Sequence, residues 1–141
     1  MYKGCEISVK ARTEDLRRIN SPQVFLFKEV FMEHSYMPVI YICAPYADDP
    51  EGNTEKAKKY ARFATDSGYI PISPHLLLSF MDEATERRKA MFMDLVLLGK
   101  CSEVWFFGDR ITSGMDIELE RARKRRMKIR HFTEDCREVT L

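Results

Sequence analysis

Two short apolar runs restrict the fold of this chain more than any other feature. Val39-Ile40-Tyr41-Ile42-Cys43-Ala44 and Val104-Trp105-Phe106-Phe107 are continuous, without the alternation of a strand that faces water on one side. Such runs suit strands buried on both faces, as in a parallel sheet covered by helices. Pro45 ends the first run, because proline cannot donate to a ladder. A polar loop from Tyr46 to Gly52 then leads into a helix beginning near Asn53 or Thr54. Its Ala57, Tyr60, Ala61 and Ala64 fall at i, i+3, i+4, i+7 and form one apolar stripe, and Gly68 supplies a left-handed stop. Tyr69-Ile70-Pro71-Ile72 reads as a short edge strand, Ser73-Pro74-His75 as a turn, and residues 82–100 as a helix that is almost wholly apolar from Ala90 to Leu98. After the second buried strand, Gly108 to Gly114 forms a loop, Met115 to Arg126 a helix, and Lys128-Ile129-Arg130-His131-Phe132 a last strand.

Strands alternating with helices imply βαβ units, and in such sheets ligands bind beyond the carboxyl ends of the strands. Three loops are therefore the places to look: 45–53, 73–81 and 108–114. At 141 residues, with 45% hydrophobic and 32% charged residues, the composition predicts one globular core that needs no disulfide or metal to fold. Residues 1–36 read as an appendage to a main domain over 37–141. The appendage holds a short strand at Glu6-Ile7-Ser8-Val9-Lys10 and a helix opening at Ser21-Pro22.

A net charge of +1 makes nucleic acid or an anionic membrane an unlikely partner. Cys5, Cys43, Cys101 and Cys136 are scattered without a CxxC pair, which suits reduced thiols in a cytoplasmic protein. The first residues carry no apolar signal core, and no apolar run reaches the about 18 residues of a membrane span. His34, His75 and His131 lack metal-ligand spacing, so neither a metal nor another cofactor is expected. The basic run Arg121, Arg123, Lys124, Arg125, Arg126 and Lys128 suits a solvated helix end near the negative dipole terminus, with phosphate contact as the alternative.

Two carboxylates stand where apolar residues belong. Met115, Glu118, Leu119 and Ala122 share one stripe of their helix, so Glu118 points with the core residues. With the helix beginning at Met115 it also lies in the first turn, where the dipole favours its charged form while burial opposes it. The alternative is a glutamate paired with a nearby arginine. Asp94 interrupts an apolar helix and shares a stripe with Met91, Leu95 and Leu98. Left unpaired and buried it would cost several kcal/mol or take up a proton, so a partner, a water or a ligand has to reach it. Capping a loop's amides is the structural alternative. Two carboxylates converging on the ligand edge of a sheet suit glycosidic chemistry, one attacking an anomeric carbon while the other handles sugar hydroxyls or the leaving base.

Four segments, in this order, resemble the nucleoside 2-deoxyribosyltransferase-like superfamily, and most closely its bacterial and phage domain-of-unknown-function branches. They are Tyr41-Ile42-Cys43-Ala44-Pro45-Tyr46, Gly68-Tyr69-Ile70-Pro71-Ile72-Ser73-Pro74-His75, Asp94-Leu95-Val96-Leu97-Leu98, and residues 112–122 from Thr112-Ser113-Gly114 through Glu118 to Ala122. The resemblance implies a Rossmann/flavodoxin-like three-layer sandwich with a 4-5 stranded, mainly parallel sheet. It also implies that Glu118 is a nucleophile attacking C1′, that Asp94 helps hold sugar and base, and that Tyr41 orients the nucleophile. Thr112, with Ser113 and Gly114, would meet the 5′ end of the ligand, and Pro45, Tyr46 and His75 would complete the substrate site. His75 also has a structural reading, and Ser113 has no base beside it in sequence.

A hydroxyl at Thr112 leans toward 5′-phosphates, whereas Asp48, Asp49 and Glu51 make the first loop a poor phosphate cradle. The expectation is thus an N-glycosidic-bond enzyme, by deoxyribosyl transfer or base-releasing hydrolysis. The alternative is a catalytically silent nucleotide-binding module of the same fold. Val24, Phe25, Phe27, Val30 and Phe31 exceed what one helix stripe needs, and with the resemblance they imply a homodimer or larger assembly.

Overall fold

The computed structural model describes residues 36–140. The strand and helix expected within residues 1–36, and the apolar face at 24–31, lie outside them. Five strands, β1 (Val39–Cys43), β2 (Ile70–Ile72), β3 (Glu103–Phe107), β4 (Lys128–Phe132) and β5 (Glu138–Val139), form one sheet. They alternate with the helices α1 (Pro50–Asp66), α2 (Pro74–Leu77), α3 (Glu83–Leu98) and α4 (Ser113–Lys124). Across the sheet the order is β2-β1-β3-β4-β5, with β1 to β4 parallel and β5 antiparallel to β4. The α/β class and the mainly parallel sheet are those expected from the sequence.

The two apolar runs are the central strands, paired so that Tyr41 stands beside Val104 and Cys43 beside Phe106. Side chains alternate between faces along each strand. Ile40, Ile42, Trp105 and Phe107 pack with Tyr60 and Ala64 of α1. Tyr41, Cys43, Val104 and Phe106 pack with Leu98 of α3 and with Met115, Leu119 and Ala122 of α4. Burial on both faces accounts for the absence of alternation in these strands. The chain leaves β1 for β2 on one side and returns to β3 on the other, so a crevice opens between the carboxyl ends of β1 and β3.

Several boundaries move for identifiable reasons. Asp49 accepts the Gly52 N–H at 3.2 Å and Pro50 occupies the first turn, so α1 starts before Asn53. The Thr112 side chain caps α4 through the Met115 N–H at 3.3 Å, so that helix starts at Ser113. Ser73-Pro74-His75 opens the short α2 rather than a simple turn. The two-residue β5 is too short to leave a periodic signal, and α3 turns Phe92 and Val96 outward. Gly68, at φ +86°, closes α1 in a Schellman motif: Tyr69 N–H bonds to Ala64 O at 3.0 Å and Gly68 N–H to Thr65 O at 3.0 Å.

Candidate functional site

The crevice between β1 and β3 widens into a cavity of about 380 Å³ walled by the loops after β1 and β3, by α2 and α3, and by the start of α4. That volume is in the range of small-ligand sites. Its floor carries Glu118, in the buried stripe of α4, and Asp94, in the buried stripe of α3. Tyr41, fully buried in β1, donates its hydroxyl to Glu118 Oε1 at 2.8 Å and so stands behind the cavity wall.

Glu118 is 5% exposed, and burial pushes its carboxyl up to about 7. The neighbouring Cys43 thiol and the hydrogen bond from the Tyr41 hydroxyl pull the other way, and the Asp94 charge adds to the rise. Because α4 begins at Ser113, Glu118 is beyond the first turn, where a helix dipole acts most strongly. Of the two opposed terms seen in the sequence, desolvation wins. Asp94 is 8% exposed and pushed up to about 6, first by burial and then by the charge of Glu83. Asp94 Oδ1 is one of two buried side-chain oxygens without a hydrogen-bond partner among the described residues, Ser73 Oγ being the other. Neither the arginine partner considered for Glu118 nor the capping role considered for Asp94 is what these contacts show.

The walls differ in character. Thr112, Ser113 and Gly114 line one side at the start of α4. Opposite, Asp82, Glu83 and Asp94 give an acidic wall on α3, where Arg87 is bound to Glu83 at 2.7 Å. Leu78, Met81, Ala90 and Met91 add an apolar surface between them, the thioethers being adaptable in shape. His75 Nε2 meets the Ala44 carbonyl at 2.8 Å and its ring stacks on Tyr46 with centroids 4.6 Å apart. Since a carbonyl only accepts, His75 carries its proton on Nε2, and burial lowers the pKa of the ring. His75 thus lines the cavity while fixing the loop after β1.

Of the residues singled out from sequence, Glu118, Asp94, Thr112, Ser113, Gly114, Tyr46 and His75 line this one cavity. Tyr41 touches it through Glu118, and Pro45 does not line it. The sequence reading missed Arg110 and the part Asp48 plays. These two form an ion pair between the loops after β3 and β1, and contacts between distant loops leave no periodic trace. Residues 38–132 match the family described as Domain of unknown function (DUF7768). The chain belongs to that family. The matched span takes in β1 through the whole of β4 and all of the cavity's walls, and leaves out β5. No curated protein matches the chain. Among the described residues, no helix is long and apolar enough to cross a membrane, and no group of three or more His, Cys, Asp or Glu side chains could hold a metal ion.

Proposed function

We propose that this chain breaks or transfers the N-glycosidic bond of nucleosides or nucleoside 5′-monophosphates, with Glu118 as the nucleophile. The observation that carries the reading is the pairing of Tyr41-bound Glu118 with the unpartnered Asp94 on the floor of one cavity. In the first step a Glu118 carboxylate oxygen bonds to C1′ while the C1′–N bond breaks and its electron pair leaves with the base. The base takes a proton from solvent or from the protonated fraction of Asp94. A water or a second base then displaces the glutamate, and the anomeric configuration is retained.

The titration of the two acids divides their roles. The attacking form needs Glu118 ionised, and that form is fully populated only above about 7. Asp94, pushed up only to about 6, is mostly ionised by then and acts chiefly as an acceptor for a sugar hydroxyl or a base N–H. Tyr41 holds one Glu118 oxygen and leaves the other for C1′. The apolar surface of Leu78, Met81 and Met91 suits the flat face of a base.

In the same reading the fold is a Rossmann/flavodoxin-like three-layer sandwich, supported by the strand order and by apolar clusters on both faces of the sheet. The chain works in the cytoplasm as a homodimer or larger assembly, without metal or cofactor. The test is to incubate it with 2′-deoxynucleosides and their 5′-monophosphates and to follow free base by chromatography. Wild type should release base and Glu118→Gln should not; wild-type turnover by that variant contradicts the reading. Nucleotide binding with no base release would instead identify the catalytically silent binding module.

A further inference from the structure

We propose that Asp48 is an internal placeholder for the phosphate of the substrate: it occupies the Arg110 guanidinium until a nucleoside 5′-monophosphate displaces it. The proposal rests on the reading above in taking the cavity as the substrate site, and it selects the phosphorylated substrate over the free nucleoside.

Arg110 and Asp48 stand 62 positions apart in sequence, on the loops at either side of the crevice, and pair across the cavity that both of them line. Their side chains are 68% and 47% exposed. A pair so open to water contributes little and is easily exchanged. The carboxylate also has somewhere to stay. Asn53, buried in the first turns of α1, donates from Nδ2 to Asp48 Oδ1 at 2.9 Å and to the Tyr46 carbonyl at 3.1 Å. Asp48 can release Arg110 without being left unpaired. A phosphate monoester carries more charge than a carboxylate and accepts the guanidinium fork with two oxygens, so it is the stronger partner.

The surroundings choose Arg110 over Arg87, the other arginine of the cavity. Arg87 also pairs with a carboxylate through exposed side chains, Glu83 at 2.7 Å on its own helix, so the choice falls to what surrounds each pair. An anion arriving at Arg87 meets Asp82, Glu83 and Asp94. An anion at Arg110 meets the Thr112 hydroxyl and Ser113, which can donate. Asp48, one of the first-loop acids read from sequence as hostile to phosphate, is on this account the group that reserves a cation.

The experiment measures affinity by calorimetry for the four common 2′-deoxynucleoside 5′-monophosphates and their parent nucleosides. It uses the full chain as wild type, Asp48→Asn and Arg110→Gln. Removing the placeholder charge should tighten the monophosphates by about two- to fivefold, the range of an exposed ion pair, and leave the nucleosides unchanged. Arg110→Gln should weaken the monophosphates by about tenfold or more and again leave the nucleosides unchanged. Weaker or unaltered monophosphate binding in Asp48→Asn overturns the proposal. So does an equal effect of Arg110→Gln on both ligand classes, or no monophosphate binding by wild type. The two readings fail separately. The expected binding pattern without base release keeps the placeholder and removes the glycosidic chemistry. Base release from both ligand classes, with neither variant separating them, does the reverse.

Discussion

Against α1 the sheet presents Ile40, Ile42, Trp105 and Phe107, and the packing there is apolar and largely aromatic, edged by the Arg130 guanidinium 4.6 Å over the Trp105 ring. Phe107 stacks on Tyr60 at 4.0 Å and on Phe132 at 5.2 Å, with Phe63 edge-on to both Phe107 and Phe132. Against α3 and α4 the same strands present Tyr41 and Cys43, and those helices bring Asp94 and Glu118 into the layer. Even the helix ends differ. α1 closes on Gly68, whereas α4 makes the same Schellman closure through Arg126 at φ +56°, a conformation that costs a side-chain-bearing residue roughly 1–2 kcal/mol. One face collects stability, and the other accepts desolvated charge on the floor of the ligand cavity and, at the far end of α4 from it, a strained turn. Binding and catalytic sites often carry costs of this kind.

The largest effect should come from damaging the aromatic face. Phe107 is fully buried, and Phe107→Ala should lower unfolding stability in urea by about 3–5 kcal/mol through lost burial and the cavity left behind. The floor of the cavity, Asp94 and Glu118, is carried by the helices on the other face of the sheet, so ligand affinity of the folded fraction should stay the same. A loss under about 1 kcal/mol would mean that this face is not the main source of stability.

Relieving the opposite face should do the reverse. Glu118 is raised from 4.5 to about 7 on folding, so between those values the folded state holds a proton that the unfolded chain has released. Its stabilising contribution is therefore full below about pH 4.5 and is lost as pH rises through about 7. Glu118→Gln, which has no charge to bury, should be more stable than wild type by about 2–3 kcal/mol at pH 8. The difference should vanish near pH 4. Denaturant titrations at the two pH values check it, and a Glu118→Gln variant less stable than wild type at pH 8 would show that Tyr41 and Cys43 more than offset the burial.

Tyr41→Phe sharpens the comparison with a smaller effect. It removes a hydrogen bond that stabilises the charged form of Glu118, so the carboxyl should rise further. The acid limb of kcat/KM for base release should then move to higher pH by under about one unit, with stability changed by at most about 1.5 kcal/mol. A limb that stays in place would remove Tyr41 from the account of how Glu118 is tuned.

The aromatic face could be read almost directly from the sequence, and the site face only in part. Continuous runs such as Val104-Trp105-Phe106-Phe107 and the Ala57, Tyr60, Ala64 stripe report burial on their own, because the apolar pattern is the physical cause of the packing. Glu118 and Asp94 were visible for the complementary reason, as charges interrupting such stripes. The balance of forces on Glu118 was not visible, because a start at Ser113 rather than Met115 moves it out of the first turn. Arg110 looked like any loop arginine. Its meeting with Asp48 depends on the strand order that places β1 beside β3, and no local pattern encodes that contact.

The central claim is that Glu118 forms a covalent bond to C1′, and trapping that bond tests it most directly. A 2′-fluoro nucleoside or nucleotide analogue that slows the second step should leave its sugar attached to the protein, and digestion with mass spectrometry should place the added mass on Glu118, with none on Glu118→Gln. An adduct on another residue, or base released from the analogue by wild type with no adduct at any time point, would contradict the account.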